Sequence, residues 1–377
     1  MTADVVVVGA GIVGAAVARE LAVRGVRVTL LDRGAISGGS TGLGEGNVLC
    51  GDKDAGAELE LARAGLALYG ELEERLGAEA RIRRKGALIV HPDAGTWAAE
   101  PARLERIGIA GAQLVGASDV RGFEPALTGP VHGASRFPDD LQCDPRAIAR
   151  ALAREAEQPG ATVREGCAVE AITTGAGGRV SGVRTEEGRV AADAVIIAAG
   201  AWSAALADAA GLRLPLEPRK GQLVRLAAPA PGLIRHKVVD GSYLRSVTST
   251  AAGLELATVV ETTWDGDVLV GSSRERRGFD TSVDPAVSGV MVERASRLFG
   301  GLPELPVAAA WAGLRPWLPD HLPAIGPSRA VPGLWLATGH EGAGVALGPA
   351  TGRLVAQLYC GEPPLLDPAP FDPDRFS

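Results

Sequence analysis

Val5-Val6-Val7-Val8-Gly9-Ala10-Gly11-Ile12-Val13-Gly14 opens the chain and decides its architecture. Four consecutive β-branched residues read as a strand buried on both faces. Residues 15–24 read as a helix, and a second apolar run, 26–31, ends in Asp32. Strand, glycine turn, helix, strand and acid fall within the first 32 residues, the setting in which G-x-G-x-x-G means dinucleotide binding. Gly9 permits the tight turn, Gly11 lets a pyrophosphate approach the backbone, and Gly14 lets the helix pack on the strand. The first helical turn, with Ile12 and Val13, offers free N–H groups and a positive dipole end to phosphates. Asp32, followed by Arg33, stands about 20 residues past the turn, where a carboxylate can accept from ribose hydroxyls.

The 377 residues suffice for two domains, and 46% hydrophobic with 22% charged residues are globular values. The formal net charge of -7 argues against nucleic acid or an anionic membrane as partner. Only four of the 38 basic residues are Lys, which reads as a coding bias. Cys50, Cys143, Cys167 and Cys360 show no metal-ligand spacing, and five scattered histidines add none, so no metal is expected. That cysteine usage fits a reducing compartment. No signal peptide and no apolar run of membrane-spanning length is legible, which makes a cytoplasmic protein without an integral membrane segment the expectation.

Leucine spacing predicts a helix over 58–76, and 86–91 reads as a strand. Residues 99–107 and 117–123 read as helices. Asp144 before Pro145 is an N-cap with proline in the first turn, opening a helix to Glu157; Asp284 and Pro285 repeat the device for 285–299. Short strands joined by Gly turns are expected over 161–172, 180–185 and 189–198. Residues 223–226, 242–246, 254–258 and 267–271 suggest an antiparallel sheet. The nucleotide pattern returns at the end, with strand 334–337, loop 338–344 and helix 345–358. The predicted class is therefore α/β. A discontinuous Rossmann-like dinucleotide domain (1–84, 138–216 and 312–377) holds an inserted antiparallel β-sheet plus helix substrate domain (85–137 and 217–311).

Three separated segments carry Gly-bearing turns after strands: 9–14, Ala199-Gly200-Ala201-Trp202, and Gly339-His340-Glu341-Gly342-Ala343-Gly344. Parallel sheets bind ligands beyond the carboxyl ends of their strands, so the three loops can meet along one extended cofactor, which favours FAD over a nicotinamide. In order and wording these motifs resemble the FAD-dependent amino acid oxidases and dehydrogenases, the family of D-amino acid oxidase, glycine oxidase and sarcosine oxidase. The resemblance covers nearly the whole chain. The runs Gly42-Leu43-Gly44-Glu45-Gly46-Asn47-Val48 and Gly271-Ser272-Ser273-Arg274 with Gly278-Phe279-Asp280 are similar to the branch of D-hydroxyproline dehydrogenase and the opine oxidase subunits.

The resemblance implies roles. Ser40 and Thr41 would bond the pyrophosphate, and Val169 would hold the adenine through its backbone. Gly46, Asn47, Ala199, Gly200 and Trp202 would line the cofactor channel. His340, Glu341, Gly342, Ala343, Gly344 and Val345 would lead into a helix aimed at the flavin pyrimidine edge. A helix N-terminus there stabilises the negative charge that reduction places on that edge. Asp32 stands where this family usually has Glu, so its reach is shorter. No cysteine matches a covalent attachment, which implies non-covalent FAD.

The resemblance also makes Arg315, in Trp311-Ala312-Gly313-Leu314-Arg315-Pro316, the anchor of a substrate carboxylate. Its planar fork suits a bidentate pair; the alternative is a structural ion pair between domains. Tyr243 stands where related enzymes place an active-site tyrosine on a strand of the inserted domain, or is a half-buried core residue. Arg274 reaches cofactor, substrate or surface, Glu341 a substrate ammonium, and His340 a loop partner. Asn47 would contact the substrate as well. The implied reaction is oxidation of the amine of a small amino acid (a D-amino acid, a D-proline or hydroxyproline-like one, or an N-substituted one) to an imine. Two alternatives share the architecture: a 2-hydroxy acid or polyol-phosphate dehydrogenase, and a flavin-binding subunit of a multi-subunit dehydrogenase. The electron acceptor (oxygen, quinone or a partner subunit) and homo- or hetero-oligomerisation are left open. No second G-x-G-x-x-G unit is present.

Overall fold

In the computed structural model, which describes residues 2–376, the strand Thr2–Val8 lies at the middle of a parallel sheet. Val5, Val6 and Val7 are fully buried, as a strand covered on both faces requires. Its neighbours are Val28–Leu31 on one side and Gly188–Ile197 on the other; Thr162–Arg164 extends the first side and Leu334–Thr338 the second, all parallel. The connection order reverses between Thr2–Val8 and Gly188–Ile197, the point where an open α/β sheet leaves a crevice. The expected strand over 161–172 is two elements. Thr162–Arg164 joins the parallel sheet, the chain turns at Gly166 (φ +67°), and Val169–Thr174 forms a hairpin with Val180–Thr185.

A second sheet runs in the order Val307–Trp317, Glu217–Leu226, Val268–Arg274, Glu255–Thr262, Lys237–Asp240, Ala87–His91, Gly133–Phe137, Gln113–Gly116. It is antiparallel as expected except for one pair, Lys237–Asp240 with Ala87–His91. Those strands come from distant chain segments, so no hairpin dictates their direction. Val307–Trp317 runs unbroken through position 312, where the sequence reading changes domain.

The expected strand at 242–246 is instead a short helix, Tyr243–Val247. Local bonds displace the ladder there: Asp240 Oδ1 accepts from Ser242 N at 2.8 Å, and Ser246 Oγ donates to Tyr243 O at 2.8 Å. The two proline-opened helices form where read. Asp144 accepts from Arg146 N and Ala147 N, and Asp284 from Ala286 N. Helix Ala57–Leu76 buries Leu59, Leu61, Leu68 and Leu72. From it Tyr69 donates to Val345 O at 2.8 Å and so fixes the first turn of helix Gly344–Cys360. Among the described residues no helix is long and apolar enough to cross a membrane.

Candidate active site

A cavity of about 670 Å³ opens at the carboxyl ends of the parallel strands and continues under the second sheet. At one end lies the glycine turn. Gly9 has φ +107°, and a Cβ on it would sit 2.5 Å from Ala198 O. A Cβ on Gly14 would sit 1.8 Å from Gly9 O, so Gly14 serves packing; it alone of the expected site residues is off the cavity wall. Helix Ile12–Ala22 has no acid in its first turn and no side-chain cap on Gly11, which leaves its positive end to an incoming anion. Thr41 Oγ1 accepts from Ile12 N at 3.1 Å, and Ser40 Oγ donates to Leu314 O.

Asp32 is fixed by the backbone: Oδ2 accepts from Ala10 N at 2.7 Å and Oδ1 from Gly34 N at 2.8 Å. Beside it the Arg33 guanidinium lies 3.9 Å above the Trp202 ring, which stacks on Phe279 at 5.7 Å. Val169, Ala199 and Gly200 complete this end. A turn closed to a Cβ at Gly9, a helix N-terminus free of acids and a backbone-held acid fit a dinucleotide.

Midway, helix Gly344–Cys360 points its N-terminus into the cavity, with Ala343 providing no side-chain cap and no acid in the first turn. His340 packs under it. Thr351 Oγ1 donates to Leu347 O, so it accepts from His340 Nε2–H at 2.9 Å. Burial pushes this imidazole down to about 3, and it stays neutral. Gly46 and Asn47 line the same stretch.

The far end is cationic. Arg315 donates to Ser273 O at 3.0 Å, and Arg274 to Ser246 Oγ at 2.7 Å. Neither guanidinium has a carboxylate within ion-pair distance among the described residues, and Arg274 Nε is buried without a partner. Burial, with Arg274 adding to it, pulls the Arg315 guanidinium down to about 10. The Arg274 guanidinium lies 4.7 Å above the Tyr243 ring, which lines the cavity. Glu341 also lines it, at φ +47°, yet both its oxygens are engaged: Oε1 accepts from Arg219 at 2.6 Å, and Oε2 sits 3.0 Å from His321 Nδ1. Burial alone would raise this carboxyl; His321 and Arg219 outweigh it and hold it low.

Several wall residues escaped the sequence reading. Glu45, Lys53, Lys237 and Leu223 line the cavity. Lys237 pairs with Glu45 and with fully buried Glu261, and Asn47 Nδ2 donates to both acids, at 2.8 and 2.9 Å. Lys53 pairs with Asp52 at 2.7 Å. Burial lowers both lysines, but Asp52 and Glu58 outweigh it at Lys53, and Glu261 and Glu45 at Lys237, so both ammoniums are held above their usual range. The signal was in the composition. All four lysines, Lys53, Lys85, Lys220 and Lys237, bury their side chains in ion pairs, so in an arginine-rich chain the rare lysine marks interior charge.

Comparison with known proteins agrees with this geometry. The family model described as FAD dependent oxidoreductase matches residues 4–358. Glycine oxidase from Pseudomonas aeruginosa is 33% identical over 387 aligned positions, covering 99% of each chain. Among solved structures, glycine oxidase from Geobacillus kaustophilus superposes with a TM-score of 0.86 at 29% identity over 99% of both chains. L-proline dehydrogenase from P. horikoshii gives 0.90 at 25% identity, over 100% of this chain and 98% of that one.

Proposed function

From a chain that belongs to the family of FAD dependent oxidoreductases, we propose an enzyme that oxidises the amine of a small amino acid to an imine. The observation that carries the proposal is the pair of guanidiniums, Arg315 and Arg274, turned without acidic partners into the end of the cavity away from the glycine turn. Two arginine forks without counter-ions suit a carboxylate. The enzymes to which the chain is similar are named for glycine and L-proline, both small amino acids.

FAD, when bound, supplies the acceptor for a hydride from the substrate's Cα. The turn at Gly9 and Gly11, with Ser40, Thr41 and the first turn of helix Ile12–Ala22, would hold its pyrophosphate. Asp32 would hold the ribose and Val169 the adenine. Gly342 to Val345 would present the N–H groups of helix Gly344–Cys360 to the flavin ring. Of the four cysteines only Cys167 lines the cavity, next to Val169, and His340 is committed to Thr351; both support a non-covalent cofactor. Arg315 and Arg274 orient the substrate by its carboxylate, and Tyr243 packs against that end. Fixing one end of a small substrate fixes the line of approach of its Cα–H, which is where an enzyme of this kind gains rate.

The test is anaerobic addition of D- and L-amino acids, prolines, N-methyl amino acids and the matching 2-hydroxy acids to the purified yellow protein. Bleaching of the flavin band by an amino acid and not by its hydroxy acid is expected. Bleaching by hydroxy acids alone would overturn the amine reading. No bleaching by any amine would point to a flavin-binding subunit that serves another chain.

A further inference from the structure

Glu341 is tied to Arg219 and His321, and a second carboxylate on the cavity wall has an oxygen to spare. We infer that Glu45 is the residue that receives the substrate's ammonium group, and that it selects amino acids over hydroxy acids. The inference rests on the amine reading above.

Glu45 Oε2 is fixed by Lys237 and by Asn47 Nδ2 at 2.8 Å. Its other oxygen, Oε1, has no hydrogen-bond partner among the described residues, and Glu45 lines the cavity. Oε1 lies 2.7 Å from where a Cβ on Gly271 would be, so only glycine at 271 leaves room for the carboxylate. Leu223, on the paired strand, closes the same spot at 2.9 Å from that position.

The spacing follows from the sheet. Gly271 and Ser273 are two residues apart on strand Val268–Arg274. Ser273 O holds Arg315 Nη1 at 3.0 Å, and Glu45 sits over Gly271. Carboxylate and guanidinium are thus anchored two residues apart on one strand. An α-amino acid bridges that interval with its ammonium on Oε1 and its carboxylate on Arg315, through two charge-assisted bonds of about 2.8 Å.

Chemistry sets the selectivity. An ionised carboxylate only accepts, so it favours a cationic N–H donor over a neutral hydroxyl. Lys237 and Asn47 hold Glu45 in one orientation, and behind them Glu261 pairs with both Lys237 and Lys85. Leu223 keeps the free oxygen next to an apolar wall, where a charged pair is stronger than in water.

The test compares wild type, Glu45→Gln and Glu45→Ala as FAD-loaded proteins, each first checked for flavin content and melting temperature. Dissociation constants for the amino acids of the panel above are taken from the substrate dependence of the anaerobic bleaching rate, and that for cyclopentanecarboxylate, which has the shape of proline without its nitrogen, from calorimetry. Glu45→Gln is expected to weaken amino acid binding at least tenfold and to change cyclopentanecarboxylate binding less than twofold. Equal weakening of both ligands would make Glu45 a structural residue, and unchanged amino acid binding would remove it from the site; either overturns the inference. A wild type that binds cyclopentanecarboxylate but no amino acid would overturn the amine reading itself. Should Glu45→Ala lose flavin, Glu45→Gln, which keeps the shape and the Asn47 bond, decides alone.

Discussion

Arg315 extends its guanidinium through the space that a side chain on Gly221 would fill: Nη1 lies 2.0 Å from the position of that Cβ. Gly221 pairs with Gly313 across strands Glu217–Leu226 and Val307–Trp317, where a Cβ on Gly313 would meet Leu43 at 3.3 Å instead. An ordinary alanine at 221 would have to push the fork out of the cavity. Gly221→Ala is therefore expected to raise KM for carboxylate substrates roughly 10- to 100-fold, the size of a lost charged hydrogen bond, at unchanged flavin content. Steady-state kinetics beside a flavin-to-protein ratio checks this, and an unchanged KM would remove Arg315 from the substrate site.

Arg274 tests the other half of the anchor. Arg274→Lys keeps a positive charge but loses the fork and its bond geometry to Ser246. KM should rise about tenfold while the protein stays yellow. On the proposed reading, in which Arg274 and Arg315 hold one carboxylate, the double lysine variant should cost less than the product of the single effects. Full multiplicativity would mean that they act on separate groups.

Two glycines of similar appearance should behave in opposite ways. Gly14→Ala places a Cβ against Gly9 O, 1.8 Å away, and must move the turn; the variant is expected to be colourless or insoluble. Gly70→Ala, in helix Ala57–Leu76, meets nothing within 4 Å and should stabilise the fold by about 0.5–1 kcal/mol. Flavin content and thermal melts of the two variants measure this contrast.

His340 gives the protein an acid-side dependence. Its folded value, about 3, lies below the ordinary imidazole value of 6.5, so the unfolded chain takes up a proton that the folded chain refuses. Nothing is lost above pH 6.5; stability falls as pH drops from there and the loss is complete near pH 3. At pH 5 the loss is about 2 kcal/mol. Denaturant unfolding of wild type and His340→Gln between pH 5 and 7 should show a shallower slope in the variant. Parallel slopes would exclude the histidine as the source.

The glycine turn, the two Asp-Pro helix starts and the helix over 58–76 were legible because each depends on neighbours in sequence. Four valines, a spaced set of glycines or an acid before a proline act within one or two turns of chain. Where local rules compete, the sequence misled. Residues 242–246 have strand-like composition, yet serine and aspartate side-chain bonds wind Tyr243–Val247 into a helix. Glu341 looked free to meet an ammonium because Arg219 and His321 are far from it along the chain, although they engage both its oxygens.

The sequence by itself determined the dinucleotide end, where function resides in backbone geometry that glycine placement encodes directly. The tertiary structure alone decided the substrate end. Whether an arginine is free or paired, and whether a glutamate has an oxygen to spare, depends on which strands lie side by side. Lys237, Glu261 and Arg315 stand on three strands of the second sheet, and Glu45 joins them from a loop far away in sequence. Charge is long-ranged and pairs by proximity in space, and no pattern of neighbours along a chain records that.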